Sequence, residues 1–317
     1  LNRKNLFGLL LLDKPIGLSS NAALQKVKRL FATFLGTAIR AGHTGSLDPL
    51  ATGMLPLCLG EATKFSQFLL QADKRYLVTA QLGIKTATGD TEGEITQQAP
   101  VPILDREAWL ALLRKFTGEI SQVPSMYSAL KHNGQPLYKL ARQGIEVARP
   151  PRIINIYSME LLNFTAETCQ LQVHCSKGTY IRTLIEDIGD LIGCGAHVTE
   201  LRRLTVGPYR SEQMISLADL EKLASDQGIS GLTTQLLSLD SMLPAWQEVV
   251  LSEATAFYLR QGQAVMVPNA PTRGWVRLTL KRTGSLLGVG EILEDGRVAP
   301  RRLVVNTDLP HSELATT

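Results

Sequence analysis

The chain has 317 residues, 44% of them apolar and 20% charged, with a formal net charge of +4. That length favours one large domain plus a small one, and the apolar share is enough for a sizeable core. No run of about 18 apolar residues occurs, which argues against a membrane-spanning helix, and a charge this small does not by itself mark a nucleic-acid binder.

In chain order, Gly8–Lys14 reads as a buried strand ended by Pro15 and Gly17. The apolar stretch 6–12 leads into Asp13-Lys14-Pro15 instead of a small-residue cleavage site, so no secretory signal is expected. Ser19 or Ser20 can cap a helix whose apolar positions Ala23, Leu24, Val27, Leu30 and Phe31 follow 3/4 spacing. A glycine-punctuated loop follows at 40–53, then a helix over 61–70. Alternation over 75–83 predicts a strand with Tyr76, Val78, Ala80 and Leu82 on one face. Residues 105–116 read as a capped amphipathic helix.

The stretch 123–152 is rich in Pro, Gly and basic residues and reads as an extended arm. Between Lys131 and Arg152 it carries five cations (Lys131, Lys139, Arg142, Arg149, Arg152) against the single acid Glu146. Tyr127, His132 and Tyr138 interleave them, a pairing of rings and cations that suits RNA. Strands are predicted over 153–164 and Thr168–Cys175, a helix over 180–191, a strand over 198–206 and helices over 217–243. Pro244 marks a boundary, after which short turn-separated strands suit a small β-barrel over 249–305. Strands and helices mix without regular βαβ spacing, so the predicted class is α+β around a mixed or antiparallel sheet.

The chemistry concentrates in the 40–53 loop. Glycines 42, 45 and 53 permit tight turns there, and Pro49 restricts the backbone of Asp48. On spacing alone Asp48-Pro49 reads as an Asx-type turn, and the loop lacks a phosphate-cradling pattern. The four cysteines (58, 169, 175, 194) form no Cys-x-x-Cys pair, and no His-Glu-x-x-His is present, so neither metal nor disulfide framework is expected. Their sparse use fits a reducing cytoplasm.

Gly42-His43-Thr44-Gly45-Ser46-Leu47-Asp48-Pro49-Leu50-Ala51-Thr52-Gly53 resembles the signature of the pseudouridine synthases that modify uridine 55 in the T-arm of tRNA. Five further segments resemble that family in order: Asp13-Lys14-Pro15, Asp73-Lys74-Arg75-Tyr76, Thr86-Ala87-Thr88-Gly89-Asp90, Tyr127-Ser128-Ala129-Leu130-Lys131 and Lys177-Gly178-Thr179-Tyr180-Ile181-Arg182-Thr183-Leu184. Leu201-Arg202-Arg203 continues the series. Gly288-Val289-Gly290-Glu291 and the segment from Val298 to Val304 resemble the C-terminal part of bacterial members, similar to the RNA-binding PUA domain.

The resemblance implies conversion of uridine to pseudouridine, with no cofactor and no metal. It implies a catalytic domain at 1–246, with the arm at about 123–152, and a PUA-like domain at 247–317. Asp48 would be the nucleophile, Arg182 its cationic partner, and Tyr76 a ring against the uracil with a proton-accepting hydroxyl. Tyr180 and Leu201 would complete the pocket, Lys64 would contact phosphate or uracil, and Asp90 would help organise the network. His43 would occupy the space left by the flipped base, and Lys131, Lys139 and Arg142 would bind RNA. The expected partner is the tRNA T-arm, bound by a monomer without an obligatory protein partner. Two other functions remain open on sequence: a tRNA-binding or folding module, and a synthase acting on a different RNA, including one directed by a guide RNA.

Overall fold

The computed structural model describes residues 6–243 and 245–305. Pro244, read as the boundary between the two parts, lies outside the described residues. The chain opens with β1 (Gly8–Lys14), α1 (Ser20–Leu35), β2 (Ala41–His43) and β3 (Thr52–Leu59). A 3-10 turn at Gly60–Phe65 runs into α2 (Ser66–Leu70), then come β4 (Lys74–Leu82), a hairpin of β5 (Ile84–Thr86) and β6 (Ile95–Gln98), and α3 (Arg106–Arg114). Next are β7 (Gly118–Gln122), β8 (Lys131–His132), β9 (Gln135–Pro136), α4 (Leu137–Ala141), β10 (Arg152–Phe164) and β11 (Thr168–Cys175). The large part ends with α5 (Ile181–Ile192), β12 (Ala196–Val206), β13 (Ile215–Ser216) and α6 (Leu217–Thr234). Beyond it lie β14 (Glu248–Leu251), α7 (Glu253–Arg260), β15 (Gly274–Leu280), β16 (Leu286–Ile292) and β17 (Val298–Leu303).

One mixed sheet organises the large part, in the order β13-β1-β3-β12-β4-β11-β10-β7, with β2 added to β3. The β1/β13 and β12/β3 pairs are parallel and the other pairs antiparallel. Strand β1 is apolar at every position from Leu9 to Leu12 because it is covered on both faces. Leu10 and Leu12 join a core built with α1, α3, α5 and α6. Leu9 and Leu11 point the other way, into a second core with Met54, Phe65, Leu286, Val289 and Val304. Strand β4 instead alternates: Tyr76, Val78, Ala80 and Leu82 are buried while Arg75, Leu77, Thr79 and Gln81 are half-open.

The helices start where their caps allow. The Ser19 side chain accepts from Ala22 N at 3.1 Å to begin α1, and Asp105 accepts from Ala108 N at 2.8 Å to begin α3. The helix expected over 61–70 is partly 3-10. There Thr63 and Ser66 hydroxyls donate to the carbonyls three residues back, Gly60 and Thr63, in competition with regular α-helical pairing.

The arm differs from an extended strap. Asn133 and Gly134, at φ 49° and 82°, form a two-residue turn that closes the β8–β9 hairpin. Helix α4 follows directly, with Leu137 and Leu140 buried. This hairpin–helix is inserted between β7 and β10, whose pairing starts at Gln122 opposite Arg152.

Among the described residues the C-terminal part is a four-stranded sheet, β14-β15-β16-β17, paired as an open path rather than as the expected closed barrel. It also contains α7, a helix that turn spacing did not predict, capped by Ser252 accepting from Thr255 N at 3.2 Å. Phe68, Trp246 and Trp275 pack edge-on and tilted where this sheet meets the large one.

Helix α5 fits against β12 only because residue 189 is glycine. A Cβ there would lie 2.3 Å from Ala196 N and 2.4 Å from Gly195 C. Gly189→Ala is therefore expected to lower stability by about 1–3 kcal/mol, from overpacking against backbone that cannot yield. Urea unfolding of both proteins measures it.

Candidate active site

The 44–51 loop joins β2 to β3 and is held from three sides. The Ser20 hydroxyl, at the start of α1, accepts from Leu47 N at 2.6 Å and donates to Leu47 O at 2.9 Å. Lys14, fully buried at the end of β1, donates to the carbonyls of Pro15 (2.8 Å), Leu18 (2.6 Å) and Pro49 (3.4 Å). Arg203 on β12 donates to Gly45 O and Ser46 O at 3.1 and 3.3 Å. Between these anchors Leu47 points into the core and Asp48 points out, its side chain 39% exposed.

Arg182 meets Asp48 there. It is the second residue of α5, a helix fixed by Ile181, Leu184, Ile185 and Ile188 buried along one face. The helix start is clamped to the end of β7: Tyr180 N donates to Gln122 Oε1 at 2.8 Å, and Gln122 Nε2 donates to Tyr180 O at 3.0 Å. Arg182 Nε lies 2.9 Å from Asp48 Oδ2, and Nη1 lies 3.4 Å from Asp90 Oδ2. Its remaining hydrogens go to Thr88 O at 2.6 Å and Tyr127 O at 2.7 Å, so every branch of the guanidinium is used. Asp90 is itself held by the Thr88 hydroxyl and by Glu92 N.

Burial raises the Asp48 pKa from its ordinary value, and Asp90 adds to the rise, while the Arg182 charge and hydrogen bond oppose it. The Lys14 ammonium is pushed down to about 8 by burial, which its attraction to Asp48 and Glu92 offsets only in part.

Tyr76 follows from the sheet register. It pairs with Arg203 on β12 and Val173 on β11, and Val78 pairs with Leu201. Directly opposed residues share a face, so Tyr76, Leu201 and Arg203 lie together beside the Asp48 loop. Burial raises the Tyr76 phenol, so it is neutral at pH 7. His43, on β2, is half-buried, and its Nδ1 has no partner among the described residues. Burial first, then the Arg203 charge, lowers its pKa, leaving a neutral ring.

Asp48, Arg182 and Asp90 thus form one ionic network, with Tyr76 and Leu201 on the neighbouring strands and Tyr180 at the helix start. Lys64 stands apart. Its ammonium binds Glu61 Oε2 at 2.6 Å and Leu303 O at 2.9 Å, at the junction with the C-terminal sheet. Lys131, Lys139 and Arg142 are exposed on the arm, with Arg142 5.8 Å above the Tyr138 ring. Four supporting residues had no expected role at the site from sequence: Lys14, Ser20, Gln122 and Arg203. A lysine closing an all-leucine strand, and an arginine inside a buried strand, were the available signals. Among the described residues no three His, Cys, Asp or Glu side chains converge to hold a metal ion.

Three family models match this chain: TruB family pseudouridylate synthase (N terminal domain) over 28–181, tRNA pseudouridylate synthase B C-terminal domain over 182–244, and Pseudouridine synthase II TruB, C-terminal, over 248–304. The tRNA pseudouridine synthase B of Coxiella burnetii (strain RSA 331 / Henzerling II) is 59% identical over 297 residues, covering 94% of each chain. That of Tolumonas auensis is 53% identical over 317 residues, covering 98% of this chain and 96% of its own. Among solved structures, a chain of a Cbf5-Nop10-Gar1 complex superposes with a TM-score of 0.70 at 25% identity, over 94% of this chain and 84% of that one. Fold and matches together define a pseudouridylate synthase. Within that class, the chain belongs to the TruB family.

The opposing effects of burial and Arg182 on Asp48 carry a pH consequence. If the carboxylate must be ionised, the rate falls as pH falls through its pKa. Arg182→Met removes the main opposing charge and should move that acid limb to higher pH. It also leaves Asp90 buried without its cation, a loss of about 3–5 kcal/mol. Single-turnover rates across pH 5–8, with thermal melts, check both.

Proposed function

We propose that this enzyme isomerises uridine 55 in the T-loop of tRNA to pseudouridine, with Asp48 as the nucleophile. The action on tRNA rests on the relatives, which are tRNA pseudouridine synthases B over nearly the whole length of this chain. The observation that carries the chemistry is the outward-facing Asp48 carboxylate, 2.9 Å from a buried guanidinium and beside a buried tyrosine.

The reaction breaks the C1′–N1 bond, turns the uracil and makes a C1′–C5 bond, leaving the overall formula unchanged. The Asp48 carboxylate bonds to C1′ as N1 departs with the electron pair, so the uracil leaves as an anion. After rotation C5 attacks C1′ and expels the carboxylate, and the C5 proton is then lost to solvent while N1 takes up a proton from solvent, which keeps the formula unchanged. Tyr76, a neutral phenol, relays that proton rather than holding it. The two bonds that Arg182 makes to backbone keep its charge fixed on Asp48 throughout, a preorganised arrangement that needs no rearrangement in the transition state.

The target base must leave its stack to reach Asp48, at a cost of a few kcal/mol. The neutral imidazole of His43, with a ring nitrogen free of protein partners among the described residues, is placed to fill the vacated space. The cations of the arm approach phosphates, and Tyr180 and Leu201 retain the detached uracil. Lys64 sits at the junction of the two sheets, so its contribution to RNA binding is through the placement of the C-terminal part. We assign catalysis to residues 1–246 and additional RNA contact to 247–317, acting as a monomer.

Unmodified tRNA carrying tritium at uridine C5 tests the chemistry. One equivalent should be released per tRNA, and none from tRNA with cytidine at position 55. Asp48→Asn should release at least about 10³-fold more slowly while still binding tRNA. Release at the wild-type rate by this variant would refute the assignment.

The arm makes a separate prediction. Replacing Lys131, Lys139 and Arg142 with Ala should weaken tRNA binding and reduce its salt dependence by roughly 0.7–0.9 in log–log slope for each lost phosphate contact. Filter binding across a salt series measures this, and an unchanged slope would remove the arm from the interface.

A further inference from the structure

Arg203 is the largest charged side chain in the interior, 1% exposed, and every partner it has among the described residues other than Tyr76 is a backbone carbonyl. Its Nε donates to Met54 O at 2.7 Å, at the start of β3, and its Nη atoms donate to Gly45 O and Ser46 O. The side chain therefore grips the nucleophile loop on both sides of Asp48. The backbone is gripped as well. Gly53 has φ 95° and pairs with Arg203 across the parallel β3/β12 contact, and a Cβ at Gly53 would lie 2.3 Å from Arg203 O.

Tyr76 occupies the strand position directly opposite Arg203, on the same face of the sheet, where its phenol feels the guanidinium charge. No carboxylate forms an ion pair with it among the described residues. The cations Lys14 and Lys74, and the neutral His43, lie near enough to feel its charge. An uncompensated buried cation is costly, and loop anchoring alone could be done by neutral donors. The side chain opposite it is Tyr76, the ring proposed to lie against the uracil.

We propose that Arg203 is a positioning residue for catalysis: it fixes the Asp48 loop and, through the Tyr76 hydroxyl, presents positive charge to the uracil when that base is detached and anionic. The inference rests on the reaction proposed above. The departing N1 electron pair leaves negative charge on a base proposed to lie against Tyr76. A phenol polarised from behind by a guanidinium is a stronger donor to that charge than a phenol alone.

A double-mutant cycle separates this role from scaffolding. Tritium-release rates under single turnover and tRNA dissociation constants are measured for wild type, Arg203→Met, Arg203→Lys, Tyr76→Phe and the Arg203/Tyr76 double variants. Arg203→Met should slow release about 10²-fold with affinity for tRNA changed less than twofold. Arg203→Lys, which keeps the charge, should recover about tenfold of this. In the Tyr76→Phe background the Arg203→Met cost should fall to about tenfold or less, the part owed to anchoring the Asp48 loop. Equal losses in both backgrounds, or a folded Arg203→Met at the wild-type rate, would overturn the proposal. If Arg203→Met does not fold, the Arg203→Lys arm of the cycle decides by the same criterion. Wild-type release and its loss in Asp48→Asn report separately on the underlying reaction.

Discussion

The guanidinium of Arg182 joins four segments that are far apart in sequence. One nitrogen holds Asp48 on the β2–β3 loop, another faces Asp90 and the Thr88 carbonyl, and the third holds the Tyr127 carbonyl at the base of the arm. A single cation shared by two carboxylates has its charge divided, and Asp48 is the more exposed of the two. The result is a carboxylate less acidic than it would be with the guanidinium to itself, and held in one direction. Because the same guanidinium also holds the arm's base, the element proposed to contact RNA and the group proposed to do chemistry share one support.

That arrangement depends on the sheet. Strands β3, β12 and β4 lie side by side, which brings Gly53, Arg203 and Tyr76 into one row across three chain segments. The loop between β2 and β3 then hangs at the end of this row, fastened by Ser20, Lys14 and Arg203. Two of those three fasteners are buried cations satisfied largely by backbone carbonyls. Their desolvation is offset because a loop folded over a sheet end has carbonyls that would otherwise lack donors. The second core ties this assembly to the C-terminal sheet through Leu9, Leu11, Leu286 and Val289. Lys64 belongs to that junction rather than to the cleft.

Strand and helix placement was largely legible in the residues. The run of leucines in β1, the alternation of β4 and the 3/4 spacing of α1 and α5 each report burial of one or both faces, a property that neighbouring residues encode directly. The arm was read as extended because its Pro and basic content obscured the Asn133-Gly134 turn and the Leu137/Leu140 pair. Helix α7 was missed amid turn signals, although Ser252 supplies its cap. For the site, family resemblance pointed to Asp48, Tyr76 and Arg182, and the structure pairs Asp48 with Arg182 and sets Tyr76 opposite Arg203, which holds the Asp48 loop.

What the sequence determined by itself was most of the strands and helices of the large part and the chemical character of the 42–53 loop, since turn residues, caps and hydrophobic period act over a few positions. Only the tertiary structure decided which cations besides Arg182 serve that loop. Lys14 and Arg203 are two among 33 basic residues, and no local pattern separates them from solvated ones. Their roles and that of Arg182 arise from strand register and helix docking, which place a guanidinium within 3 Å of Asp48 although 134 positions separate Asp48 from Arg182. Electrostatic effects of that kind depend on distance and burial in space, and neither is written at any single position of the chain.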